Sequence, residues 1–539
     1  MTRLFHNFTL HLVMKKNTHY NLLIALTYSV TLIGGMFFGY KFLKDQGFQF
    51  QRPVQFANNN TEKVDEIIHI INKNYVDDIN ADSLNHLPID SLLHKLDPHS
   101  MYLPPAKANE MAETLEGNFE GIGIEYYILN DTLLVTDVVK DGPAFMAGIR
   151  QGDKILKIDT VTVSGKALPR EQMIGRIRGR KGTAVKLTIV HPRDTQQVIF
   201  LVNRSRVKVS SIDAAYLLSP ETAYIRISKF GAETDIDFIE AIRSLKSKGM
   251  KKLILDLRDN GGGYLSAATG LANQILQENK LIVYTEGKHE PRTDYRTSGG
   301  GEFEQGKLAV LINENSASAS EILAGAVQDW GRGVIIGRRS FGKGLVQEQF
   351  PFGDGSALNL TIARYYTPSG KSIQKSYKNG YNAYKNEIDD RFNDGELTAD
   401  NAFTVKDSLK NKNFVRGGIQ PDIYVKLDTA GYNRFYNKLI TKKILFDFVY
   451  DILASRYNPV YLDQNISTFS ISDNDYKDLL RYIQNRDVVI DQKQLNASKS
   501  LICNDVKLLL YKYHLGDAGY YRALNLSDPM VKQAITSLQ

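Results

Sequence analysis

Two short stretches hold residue types that could do covalent chemistry. "NENSASASEILAGAVQDW" sets three serines, Ser316, Ser318 and Ser320, in alternation with alanine where a strand-like run meets a helix-like one. "GVIIGRRSFGKGLVQ" sets Lys343 between two glycines after an apolar run. A serine becomes a nucleophile when a base takes its proton, and a lysine can be that base only when uncharged. Moving a lysine pKa from about 10.4 to near 7 takes roughly 4–5 kcal/mol of differential destabilisation of the cation. Burial supplies effects of that size. Phe341, Gly342, Gly344, Leu345 and Val346 bring no charge to Lys343 and permit close packing, while Arg338 and Arg339 would add repulsion.

Both stretches also have non-catalytic readings. Gly337 to Lys343 spells G-x-x-x-x-G-K, but a phosphate loop needs Ser or Thr after its lysine to bind magnesium. Here that position is Gly344, and the aspartate of "LILD", Asp256, precedes the loop instead of following it. The nucleotide reading fails on chemistry. Ser318 and Glu321 spell S-x-x-E, a capping box, and taken alone the serine run reads as a helix cap. A histidine base is the usual partner of a serine. Between residues 192 and 513 the only one is His289, in the polar loop "TEGKHEPRTDYRTSGG". There is no G-x-S-x-G elbow and no H-E-x-x-H zinc motif. A serine hydrolase in this region must therefore recruit another base.

The elements that would position these residues follow from patterning. Residues 207–428 alternate strand-like runs ("TAYIRIS", "KKLILDLR", "KLAVLIN", "GVIIGR") with helix-like ones, which argues an α/β core. Residues 113–206 form a β-rich module, and residues 61–112 a helical segment in which Val64, Ile67, Ile68, Ile71 and Tyr75 recur at helical spacing. Residues 429–539 read as helical. The expected fold class is thus multidomain, α/β and α+β. At the other end, "YNLLIALTYSVTLIGGMFFGY" (residues 20–40) lacks any charge and is long enough to span a bilayer. It predicts an uncleaved transmembrane anchor between a cytoplasmic segment, 1–19, and a polar linker, 41–60. The net charge of +7 over 539 residues is modest and dispersed, without the basic stripe of a nucleic-acid partner. The single cysteine, Cys503, excludes an internal disulfide and a thiol metal site and reads as a small apolar residue in a helix.

Within the β-rich module, "GIG" at 121–123, "PAFMAGIRQGD" and a helix before the last strands resemble a PDZ domain. Such a groove takes a chain terminus as an added strand, and on that resemblance the amides near Gly121, Ile122 and Gly123 hold the terminal carboxylate. "NYVD", "LDPHS", "ILDLRDNGGG", "SASASEILAGAVQD", "GRRSFGKGLVQ", "YYTPSGKSIQ" and "GIQPD" appear in order from about Glu62 to Asp422. That set resembles the C-terminal processing peptidases, or tail-specific proteases, a serine–lysine family. The resemblance implies Ser318 as nucleophile, Lys343 as general base and Gln347 as the group orienting the lysine. It implies an oxyanion hole from Gly262, with Gly263 beside it, and the amide of Ala319. Asp329 matches an acidic position and reads as structural support through salt bridging.

The expected function is a membrane-anchored serine endopeptidase cutting near protein C-termini, its catalytic part outside the cytoplasm and, by the family's common bacterial occurrence, periplasmic. No metal or cofactor is implied. The alternative is an inactive PDZ scaffold that binds C-termini. A homo-oligomer or an adaptor stays open. One departure is visible: a polar insertion at 375–416, before "GGIQPD", reads as a surface excursion.

Overall fold

The computed structural model describes residues 60–79, 88–165, 168–192, 194–399, 417–486 and 488–539. The expected cytoplasmic segment, anchor and linker lie outside them. Among the described residues no helix is long and apolar enough to cross a membrane.

The catalytic-motif region is built on a six-stranded sheet. Its order is Ile212–Leu217, Thr222–Ile227, Lys252–Asp256, Lys307–Ile312, Val334–Gly337 and Ile423–Tyr424. The first pair is antiparallel and every later pair parallel. Strands such as "KLILD" are apolar on consecutive residues because both faces are covered. Leu253 and Leu255 pack with helices Thr234–Ser247, Leu265–Ile275 and Ala319–Asp329 on one side. On the other face Ile254, Ala309 and Leu311 meet Met530, Val531 and Ala534 of helix Pro529–Ser537. The C-terminal region, expected as a separate helical block, therefore finishes the core itself.

A second sheet, ordered Met101–Leu103, Ala357–Tyr366, Leu281–Glu286 and Thr293–Arg296, stands beside it, with strand Leu345–Pro351 paired to Ala357–Tyr366. The chain passes from the parallel sheet to this hairpin through residues 338–344, the segment that bears Lys343. Helices Asn60–Asn74 and Ile89–Leu96 put Ile67, Ile71, Leu92 and Leu93 against Leu358 and Leu360. The helical spacing at 64–75 is realised as expected.

The β-rich module has strands Ile124–Leu129, Thr132–Val138, Lys154–Ile158, Ala184–Val190 and Gln197–Asn203 in that order, with helix Arg170–Ile177. Ile124–Leu129 is an edge strand. Helix Pro105–Glu116, which sequence patterning did not single out, runs beyond the expected boundary at 112. The remaining C-terminal helices, including Gln492–Asn525 with its non-helical break at Gly516, form their own core and enclose Leu129 and Leu134 of the module.

The insertion is a correction. Its described part, residues 375–399, holds helix Tyr381–Asn393, which is mostly exposed as expected but buries Tyr384 and Arg391. Buried pairing against residues 339–341, detailed below, is what a charge-rich sequence hid.

Candidate active site

The three serines have different jobs. Ser316 Oγ donates to the Leu257 carbonyl at 2.8 Å and Ser320 Oγ to the Asn260 carbonyl at 2.9 Å. Both residues are fully buried, so they fasten their loop to residues 257–260. Ser318 alone is partly exposed. Its backbone has φ 57° and ψ −115°, a conformation rare for a residue with a side chain. Strain of that kind, at a strand-to-helix turn, presents a side chain outward. Glu321 accepts from the Ser318 amide at 2.8 Å, and the Glu321 amide donates to the Ser318 carbonyl at 2.8 Å. The helix start is thus held by a capping box between Ser318 and Glu321, and the cap reading and the nucleophile reading are compatible.

Glu321 does more than cap. Its fully buried carboxylate also accepts from Ser340 Oγ at 2.5 Å, the Gly342 amide at 2.7 Å and the Lys343 amide at 2.9 Å. One side chain therefore ties the Ser318 turn to the lysine segment, while burial pushes its pKa up to about 7 against those four donors. The Phe341 amide adds a bond to the Ser316 carbonyl at 2.9 Å. Sequence reading assigned Glu321 to the cap; four-fold use of one buried acid is a tertiary property with no local signature.

Burial lowers the pKa of Lys343, with Asp97 and Glu321 opposing the shift. Its Nζ donates to Gln347 Oε1 at 2.9 Å. A bulge between Val346 and Gln347 breaks the register of strand Leu345–Pro351 and turns Gln347 toward the lysine. The expected repulsion from Arg338 and Arg339 is absent, because Arg338 pairs with Glu314 at 2.7 Å and Arg339 with Glu396 at 2.8 Å. The Tyr365 hydroxyl donates to the Lys343 carbonyl and lies within reach of Ser318. No hydrogen bond joins Ser318 Oγ to Lys343 Nζ in this state of the protein.

The glycines after "DLRDN" abut the nucleophile turn. A Cβ on Gly262 would stand 2.7 Å from Ser318 Cβ and 2.8 Å from the Ala317 carbonyl oxygen. The Gly262 amide, however, donates to Asn260 Oδ1 at 2.9 Å. The amides of Gly263 and Ala319 make no hydrogen bond among the described residues. Of the expected oxyanion donors, those two are free, and Gly262 serves close approach. The loop is anchored at its root: Arg258 reaches Asp256 at 2.6 Å and Asp528, the N-cap of the last helix, at 2.7 Å.

Asp329, at the far end of the helix from Ser318, accepts from the Ser369 amide at 2.9 Å and pairs with Lys371 at 3.5 Å. It braces the turn after strand Ala357–Tyr366, consistent with support. His289 is exposed, as the loop reading expected. A histidine the motif survey left aside, His99 of "LDPHS", lies close to the lysine. Burial, then Lys343 and Lys375, push its pKa down to about 3, too weak a base to compete.

In the β-rich module Gly121, Ile122 and Gly123 line a groove of about 940 Å³ between the edge strand Ile124–Leu129 and helix Arg170–Ile177. The amides of Ile122 and Gly123 make no backbone bond among the described residues, although their carbonyls accept from Ala144 and Val139. Gly121 instead sits in a ladder opposite Ser205. Ile122, Ile124, Ile174 and Ile177 give the groove apolar lining, beside charged residues such as Glu125 and Arg170. At its mouth Arg178 pairs with Glu113 of helix Pro105–Glu116 at 2.7 Å.

Comparison with known proteins gives consistent matches. The model of peptidase family S41 matches residues 221–380 and that of the PDZ domain residues 121–201. A "Probable CtpA-like serine protease" of Staphylococcus aureus (strain MRSA252) is 34% identical over 316 residues, covering 58% of this chain and 62% of its own. A "Carboxy-terminal-processing protease" of Bartonella bacilliformis is 38% identical over 290 residues, covering 53% and 66%. The aligned stretch thus spans a little under two thirds of these relatives. Among solved structures, a photosystem II D1 C-terminal processing protease aligns with 69% of this chain and 95% of its own, at 25% identity and a TM-score of 0.38.

Proposed function

The chain carries a peptidase family S41 domain and a PDZ domain, and from that premise we propose that it is a serine endopeptidase cutting protein substrates near their C-termini. Ser318 is the nucleophile and Lys343 its general base, held by Gln347. A substrate tail adds to the edge strand Ile124–Leu129, its carboxylate on the amides of Ile122 and Gly123. Neutral Lys343 takes the Ser318 proton as the hydroxyl attacks the scissile carbonyl. The developing oxyanion is received by the amides of Gly263 and Ala319, and losing one such donor typically costs about 2.7–4 kcal/mol of transition-state stabilisation. The protonated lysine then gives its proton to the leaving amine, and water releases the acyl-enzyme with the same lysine as base. Ser318 and Lys343 come into direct contact in the Michaelis complex, since catalytic hydrogen bonds often tighten only there.

The observation that carries the reading is the buried Glu321 carboxylate, which ties the strained Ser318 turn to the lysine segment beside two unoccupied amides. Anchoring through residues 20–40 and an extracytoplasmic, periplasmic location complete the proposal, motivated by the uncharged run alone. The test is cleavage of a protein with an apolar, unstructured C-terminus by wild type, Ser318→Ala and Lys343→Ala. Equal turnover by all three refutes the assignment. Tail binding without turnover by wild type selects the scaffold reading. Location is tested by protease accessibility of the catalytic region in intact spheroplasts.

A further inference from the structure

The insertion helix Tyr381–Asn393 lies on the segment that bears Lys343. Arg391 Nη2 donates to the Arg339 carbonyl at 2.7 Å and Nη1 to the Ser340 carbonyl at 3.3 Å. Lys375, at the start of the insertion, donates its amide to the Gly342 carbonyl at 2.9 Å. Its side chain, 4% exposed, folds back so that Nζ stands 3.8 Å from the centroid of the Phe341 ring and 4.3 Å from that of Tyr384. Three buried cations, Arg339, Lys375 and Arg391, thus converge on residues 339–342. Glu387 is the carboxylate they share: it accepts from Arg339 at 3.0 Å and from Lys375 at 3.1 Å, with Arg391 at 4.0 Å. Glu396 also pairs with Arg339 and Arg391, and Arg339 Nη1 donates to the Gly417 carbonyl at 3.2 Å, but no other carboxylate pairs with Lys375 among the described residues.

We propose that Glu387 is a positioning residue for the base, bracing the Lys343 segment from the insertion through Lys375 and Arg339. The inference deepens the proposed reading, because it presumes Lys343 to be that base. The physical ground is asymmetry. Removing one partner of a buried ion pair strands a charge, whereas removing both leaves none. Without Glu387, the Lys375 ammonium is stranded against Phe341, two residues from Lys343, and the segment shifts to let it reach water. A displacement of about 1 Å at a catalytic group can lower turnover on the order of 100-fold. The tail groove is built from other elements, so KM for a tailed substrate stays put.

The test uses the full chain and four variants: Glu387→Gln, Glu387→Asp, Lys375→Met, and Lys375→Met with Glu387→Gln. Glu387→Gln is expected to lower kcat at least tenfold with KM within twofold, and to move the pH at which kcat reaches half its plateau. Glu387→Asp restores most of the activity. The double variant, which holds no stranded lysine and leaves Arg339 and Arg391 on Glu396, returns kcat to within threefold of wild type. Wild-type kcat and pH profile in Glu387→Gln overturn the proposal, as does a double variant no better than the single one. Should Glu387→Gln not fold, a folded double variant with kcat reduced tenfold or more overturns it equally. Failure of the peptidase reading shows differently, as wild type without Ser318-dependent cleavage. The brace is then read by NMR titration of the 13C-methylated Lys343 amine, expected to shift in Glu387→Gln and revert in the double variant; an unmoved titration overturns the brace.

Discussion

Replacing Gly262 by alanine puts one methyl group into the tightest part of the site. Gly262 has φ +99°, and its added Cβ would meet Ser318 Cβ at 2.7 Å, the Ala317 oxygen at 2.8 Å and the Ala319 nitrogen at 3.0 Å. A side chain at positive φ costs about 1–2 kcal/mol, and forcing a methyl into packed surroundings about 1–3 kcal/mol more. The total, roughly 2–5 kcal/mol, must surface somewhere. If the turn holds, it appears as lost stability. If the turn yields, Ser318 is displaced, and a loss of about 100-fold in rate corresponds to roughly 2.7 kcal/mol. Urea unfolding and the rate of Ser318 modification by a fluorophosphonate read the two outlets separately. Gly261→Ala is the internal control, because nothing lies within 4 Å of its added Cβ. Expected is a loss in one or both assays for Gly262→Ala and none for Gly261→Ala. If Gly262→Ala matched wild type in both, the crowding of Ser318 against this loop would be the wrong account of why glycine stands there.

Ser316→Ala and Ser320→Ala each remove one of two donors to a buried carbonyl, the amides of Asn260 and Ala317 remaining on Leu257 and Asn260 respectively, at about 0.5–1.5 kcal/mol; equilibrium unfolding should register this while Ser318 labelling persists. Cleavage should rise with pH through the depressed pKa of Lys343, since only the free amine accepts a proton, and plateau above it. Because folding lowers that pKa, protonation favours the unfolded chain, and this group's contribution to stability grows with pH from the depressed folded pKa up to the ordinary lysine value. Gln347→Glu puts a carboxylate against Lys343, favours the ammonium and should move the rising limb of kcat to higher pH; pH–rate profiles of both proteins decide it. Met530→Ala should cost about 2–5 kcal/mol in denaturant unfolding, because that side chain closes the second face of the parallel sheet.

The parallel core was legible because its strands are apolar on consecutive residues and its helices amphipathic, signals carried within single segments. The Ser318 turn and the Lys343–Gln347 spacing were legible for the same reason: motifs are local. What escaped depends on pairing across long separations. Glu321 looked like a cap because three residues separate it from Ser318, while its bonds to residues 340–343 cannot be read from spacing. The insertion looked solvated because charge-rich runs usually are; Lys375 and Arg391 are buried where Glu387, Glu396 and the carbonyls of residues 339 and 340 meet them. Helix Pro105–Glu116 carries a single buried residue, Ala108, and so had little apolar stripe to announce it. Gly262 and Gly263 were separable only by geometry, through the side chain of Asn260.

Ser316 and Ser320 fasten the nucleophile's loop to residues 257–260, and the next residues along that stretch supply the free amide of Gly263. Attacking atom and anion receptor are thereby mounted on a single block, to which the proton acceptor's segment is joined through Glu321 and the Phe341 amide. A displacement of the Lys343 side chain alone would leave the electrophile cradle intact. Reagents that carry their own activated leaving group, needing little help from a base, would mark such a resting form that cannot yet hydrolyse an amide, and the ratio of labelling to hydrolysis becomes a direct gauge of how much of the population is armed.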